Sequence, residues 1–151
     1  MKESFFTNYQ SLIHNKYLMI PVLTWLGIQL FKFLYDIIVE KKVNFKRLLG
    51  AGGMPSSHTA VAVALATLIG KDFGVDTPMF AMALIFSFVV MYDAAGIRRA
   101  AGKQAKLLNK IVETPGLTGL QVSEKLVEVL GHTPMQVVVG AIIGVVVGLI
   151  F

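Results

Sequence analysis

Four apolar runs separated by short polar stretches set the outline of this chain. The first extends from about Tyr17 to Val39, and the second from Pro55 or Ser57 through AVAVALATLIG to Gly70 or Phe73. The third runs from Pro78 to about Tyr92, and the fourth from Thr133-Pro134 to Phe151. A helix needs about 20 apolar residues to cross a bilayer, and tilt or local thinning relaxes this to roughly 17. The pattern predicts four transmembrane helices. The second is short for a crossing unless its ends lie in a protein-lined pocket, because backbone polar groups at membrane depth must be satisfied within the protein. Between the third and fourth runs, Ala94 to Glu113 sets Ile97, Ala101, Ala105 and Leu108 against Arg99, Lys103, Lys106 and Lys110, the spacing of an amphipathic helix. ETPG breaks it; Thr118, with Gln121 three residues on, then reads as the capping box of a second short helix that Gly131 stops. Ahead of the first run, Phe5 to Lys16 has an apolar and a polar side and is expected to lie along the interface. The expected fold is all-α, an integral membrane helical bundle. It forms a single domain over 1–151, with 1–16 the interfacial segment and 17–151 the helical core.

Composition strengthens the membrane reading. The chain is 55% hydrophobic and only 15% charged, against about 25% charged in an average soluble domain. The absence of cysteine excludes disulfides, thiolate metal sites and a thiol nucleophile. The N-terminal stretch lacks the small-residue cleavage site of a signal peptide, and its apolar run continues into a full span. A formal net charge of +5 is compatible with nucleic acid. The basic residues, however, fall in loops between apolar runs, which suits membrane lipids with anionic headgroups or phosphate ligands and leaves no nucleic-acid partner expected.

Threading the four runs across a bilayer brings the start of the second, the end of the third and the start of the fourth to one face. That face collects Lys41, Lys42, Lys46, Arg47, Arg98, Arg99 and the amphipathic-helix lysines, while the other holds Lys2, Lys16 and Lys71. The positive-inside rule places the crowded face in the cytoplasm, and the expected location is the cell membrane of a bacterium. On this face His58 falls in the first turn of the second run and His132 just before the fourth. Helix N-termini carry positive dipole ends and unpaired N–H groups, so both histidines lie where anions bind. Lys32 sits inside the first run, where an ionisable residue either snorkels or lines a site. Ser56 and Ser57 read as N-caps whose hydroxyls point into the same region.

These residues carry a family resemblance. Pro55-Ser56-Ser57-His58 resembles the second signature of the type-2 phosphatidic acid phosphatase superfamily, the membrane lipid-phosphate phosphatases related to vanadium haloperoxidases, which has Pro-Ser-Gly-His there. HTPMQV from His132, followed by Gly140 and Gly144, is similar to the end of the third signature, and Lys32 with Arg47 to the first. GGMPSSH together with YDAAGIRRAAGKQAKLLN is most similar to the divergent branch of that superfamily, and the resemblance covers nearly the whole chain from Lys32 onward.

The resemblance implies a membrane phosphatase for a lipid phosphate monoester such as phosphatidate, phosphatidylglycerol phosphate or a polyprenyl phosphate. It implies His132 as the nucleophile that forms a phosphohistidine and His58 as the proton donor to the leaving alcohol. Lys32, Arg47, Ser56 and the backbone around Ser57 would bind phosphate, with no metal and no cofactor. Three differences from the family pattern stand out. Ser57 replaces glycine; the Ser-Arg pair that normally precedes the nucleophile is absent; and Gln136 stands where the family has an acid. Arg98 or Arg99 can supply the missing guanidinium, with Arg98 preferred because it shares a helix face with Gly102, Ala105 and Asn109. Asp93 or Glu128 can supply the missing carboxylate, or Asp93 can pair with Arg98 or Lys32. Gln136 can orient the imidazole through its carbonyl or serve a capping box with Thr133. The contrasting reading is a catalytically silent relative that binds or transports an anionic lipid. Gly140, Gly144 and Gly148 form a small-residue row suited to close helix packing, or to a homodimer seam.

Overall fold

The computed structural model describes residues 11–39, 41, 43, 45, 52–114, 126–128 and 130–151. Its principal elements are five helices, α1 (Lys16–Ile38), α2 (Ser57–Phe73), α3 (Pro78–Ala95), α4 (Ile97–Glu113) and α5 (Pro134–Ile150). No strand occurs among the described residues. The expected second short helix at Thr118 and most of the interfacial segment lie outside the described residues.

Each apolar run opens on a residue that satisfies the first orphan N–H groups. Asn15 accepts from the Tyr17 amide, Ser56 from Thr59 and Thr77 from Phe80, where Pro78 takes the first helical turn. Thr133 and Gln136 form a reciprocal capping box at the head of α5. Glycines follow two of the helices: Gly74 ends α2, and Gly96 separates α3 from α4.

The core is built on α2, which packs against α1, α3 and α5. Its buried residues are small, Ala60, Ala62, Ala64 and Ala66, with Leu68 filling the far end. A Cβ on Gly140 would stand 2.5 Å from the Ser56 carbonyl, one on Gly144 2.6 Å from that of Ala60, and one on Gly148 3.0 Å from that of Ala64. Both helices advance by four residues between successive contacts, so α2 and α5 run parallel and their N-termini lie side by side. Tyr17 donates to Asp72 at 2.7 Å and Lys16 pairs with the same carboxylate at 2.6 Å, tying the start of α1 to the end of α2. Therefore α1 is antiparallel to α2. The short turn before α3 sends that helix back as well, and α1 and α3 end where α2 and α5 begin.

The surface is apolar and part of the interior is polar. Leu23, Leu26 and Leu30 on α1, Met82, Ile85 and Phe86 on α3, and Ile142, Val146 and Leu149 on α5 are all exposed. Gln29, Lys32, Asp36 and Ser87 are buried. Apolar surface of this extent belongs in a lipid phase rather than in water.

Among the described residues, two stretches are long and apolar enough to cross a bilayer, Lys16–Ile38 and the continuous Pro78–Glu113. Both α2 and α5 have 17 residues, roughly 26 Å at 1.5 Å per residue, so helix length alone does not establish the four crossings expected. The glycine row is used within the chain: Gly140, Gly144 and Gly148 are buried against α2.

Gly144→Val should drive methyl groups against the Ala60 and Ala64 backbone and the Val63 side chain and lower stability by about 1–3 kcal/mol or more. Thermal unfolding in detergent, followed by circular dichroism, would register this as a lower midpoint; an unchanged midpoint would refute the close α2–α5 seam.

Candidate functional site

The parallel seam delivers two loop-to-helix junctions to one place. Ser56 N–H donates to the Gln136 carbonyl at 3.1 Å, locking the head of α2 to that of α5. His132 N–H donates to the Ala94 carbonyl at 2.8 Å, fixing the approach to α5 against the end of α3. His58 and His132 consequently line one partly open cavity of about 90 Å³ with Asp93, Arg98 and Gly131.

A platform on α4 holds the segment that carries His132. The Asn109 amide donates to the Leu126 carbonyl and to the Glu128 carboxylate, each at 2.9 Å, and its oxygen accepts from the Leu126 N–H at 3.0 Å. Gly102 lies directly under the Glu128 and Leu130 carbonyls. Gly131 has φ +79°, and a Cβ there would strike the backbone of Arg98 and Arg99. That combination of left-handed backbone and close approach admits glycine alone.

Gln136 decides the state of the His132 ring. Its Oε1 accepts from the Thr133 N–H at 3.0 Å and faces His132 Nδ1 at 3.2 Å. A backbone N–H can only donate, so the side-chain atom it meets is the carbonyl oxygen, and Nδ1 must be the protonated nitrogen. This tautomer leaves the lone pair on Nε2. His132 is 3% exposed, and burial holds its imidazole below the usual 6.5. The Lys32 and His58 charges push the same way, while the Gln136 oxygen and the Gly53 carbonyl oppose them.

The other expected residues are distributed around this centre. Lys32, 2% exposed, donates to the Gly52 carbonyl at 3.1 Å, so its ammonium lies against the glycine loop ahead of α2. Gly52 and Gly53 both have positive φ. Ser56 and Ser57 are buried at the head of α2, where Ser56 Oγ accepts from the Thr59 hydroxyl at 3.0 Å and from its amide at 3.4 Å. Those acceptor bonds leave the Ser56 hydroxyl proton to donate. Arg98 lines the cavity. Asp93 pairs with Arg98, and Glu128 is engaged by Asn109. Neither carboxylate therefore takes the place at Nδ1, which Gln136 fills because it is one helical turn from the imidazole on the same face. Arg47 lies outside the described residues. Among the described residues, no three histidine or acidic side chains gather at one point.

Comparison with known proteins identifies the family of the chain. The family model described as "Divergent PAP2 family" matches residues 13–147. The chain belongs to this family. A curated relative from Bacillus subtilis (strain 168), called "Uncharacterized membrane protein YuiD", is 35% identical over 133 residues, covering 81% of this chain and 84% of the relative. No solved structure matches. The protein is thus a divergent PAP2-like membrane protein.

Two features of this member were not singled out from sequence. The three hydrogen bonds joining Asn109 to Leu126 and Glu128 depend on a fold-back across residues whose spacing carries no period. Asp36 is buried on the same face of α1 as Lys32; its signal was a second charge one turn along an apolar run.

Because the folded state holds His132 below 6.5, the unfolded chain binds the proton first as pH falls, and stability declines from about pH 6.5 downward. Histidine-selective NMR in detergent should find His132 titrating below free imidazole. Gln136→Glu should move that titration upward, since a carboxylate at Nδ1 favours imidazolium.

Proposed function

We propose that this chain is an integral-membrane phosphatase that hydrolyses a lipid phosphate monoester through a phosphohistidine on His132. The observation that carries this reading is the convergence of His58, His132 and Arg98 on one small cavity beside the N-termini of α2 and α5. Anion binding, nucleophilic attack and proton transfer need those elements within a few ångströms of one another. In this reading α2 and α5 cross the bilayer together with α1 and α3, giving four spans whose site end faces the cytoplasm of a bacterial cell.

The chemistry follows from the residues. Neutral Nε2 of His132 attacks phosphorus, the bond from phosphorus to the lipid oxygen breaks, and His58 gives its proton to the departing alkoxide. His58 then takes a proton from water as the water oxygen attacks the phosphohistidine, which frees inorganic phosphate and restores the imidazole. Lys32, Arg98 and Arg47, the Ser56 hydroxyl and the N–H groups around Ser57 stabilise charge on the equatorial oxygens, where most of the catalysis of phosphoryl transfer arises. Asp93 acts here through Arg98, holding its guanidinium at the cavity.

Gln136 favours a second reading, in which the protein binds or carries an anionic lipid without turning it over. An amide oxygen orients His132 but cannot balance an imidazolium, and in a serine protease the comparable acid-to-amide change lowers turnover by about 10⁴. Slow turnover is accordingly expected. Phosphate release from a panel of lipid phosphates should be measurable for the wild type and fall by about 10³ or more in His132→Ala. A wild type that binds these lipids without releasing phosphate, and a variant that binds them equally, would replace the enzyme with the silent binder.

A further inference from the structure

Gly27 occupies the middle of α1, where glycine destabilises a helix relative to alanine. Gly102, Gly140, Gly144 and Gly148 each lie beneath a neighbouring backbone, but a Cβ on Gly27 would meet nothing within 4 Å among the described residues. Helix packing therefore does not require this glycine. The space above it belongs to a half-open groove of about 570 Å³ between α1 and α5, walled by Ile28, Phe31, Val139 and Ile143. Lys32 and Asp36, the charged residues of this lining, lie toward the C-terminal end of α1. Lys32 also bonds the loop leading into α2 and acts electrostatically on His132, so the charged end of the groove lies on the His132 side of the bundle.

We propose that this groove holds the single apolar chain of a phosphate monoester whose phosphate end lies at Lys32, and that Gly27 is the position that keeps it open. The proposal deepens the phosphatase reading by naming a one-chain substrate. At about 30 Å³ per group of water-molecule size, 570 Å³ accommodates on the order of twenty carbons, one chain or the first part of a longer one. An apolar chain gains little free energy from leaving a bilayer for an apolar groove, so selection rests on fit and on the buried ammonium at the groove's end. That explains why an open volume beside a charge is worth a weaker helix.

The test is photolabelling of the intact protein in detergent with hexadecyl phosphate bearing a mid-chain diazirine, read by peptide mass spectrometry. Adducts should concentrate on Phe31, Val139 and Ile143, and excess hexadecyl phosphate should displace the probe while hexadecanol does not. Gly27→Phe should reduce these adducts at least about tenfold by filling the groove, with its circular dichroism spectrum retained; should that variant not fold, Ile143→Trp narrows the groove from the opposite wall. Gly27→Ala, which adds one methyl in open space, should keep the labelling. Adducts spread equally over the outer face of α3, undiminished labelling in a folded Gly27→Phe or Ile143→Trp variant, or loss in Gly27→Ala would each overturn the groove. Turnover is a separate readout: absence of phosphate release from hexadecyl phosphate that still labels these residues would remove the phosphatase reading and leave the groove standing.

Discussion

The close parallel contact between α2 and α5 is the constraint on which the remaining structure depends. Three glycines at four-residue intervals on α5 let its backbone approach the carbonyls of Ser56, Ala60 and Ala64, a separation that any side chain would prevent. Because the helices run the same way, their N-termini emerge together, and with them His58 and His132. Two positive dipole ends side by side repel one another weakly and favour an anion between them. The seam thus creates both a core and the electrostatic demand that a phosphate would satisfy.

Around that seam the chain separates polar from apolar groups in the sense opposite to a water-soluble bundle. Large aliphatic and aromatic residues face outward, while Lys32, Gln29, Asp36 and Ser87 face inward. A buried ammonium is costly unless bonded, and Lys32 is held by the Gly52 carbonyl. That bond couples α1 to the loop that begins α2, so the same side chain that supplies positive charge also positions the serine-histidine segment.

Gln136 illustrates how one residue serves structure and chemistry at once. Its backbone carbonyl accepts from Ser56, its side-chain oxygen caps Thr133, and the same oxygen orients His132. An acid could make these hydrogen bonds and would stabilise imidazolium more strongly than the amide oxygen does; burial is what holds the ring neutral. The site holds a neutral imidazole oriented at Nδ1 and places no carboxylate against that nitrogen.

What the sequence determined by itself was everything governed by short range. The apolar runs, their capping residues, the amphipathic α4 and the small-residue row on α5 depend on neighbours within one or two turns, and so did the expectation that Thr133 and Gln136 pair. The family signatures were legible because His58 and His132 stand at fixed offsets from prolines and caps. Only the tertiary structure decided which groups meet across long separations: that the glycine row closes on α2 within one chain, that Asp93 pairs with Arg98 and Glu128 with Asn109, and that Gly27 borders open space. The physical reason is that a residue type records which environments it tolerates, whereas the choice among several compatible partners is made when helices dock and the competing carboxylates, amides and cavities are compared in three dimensions.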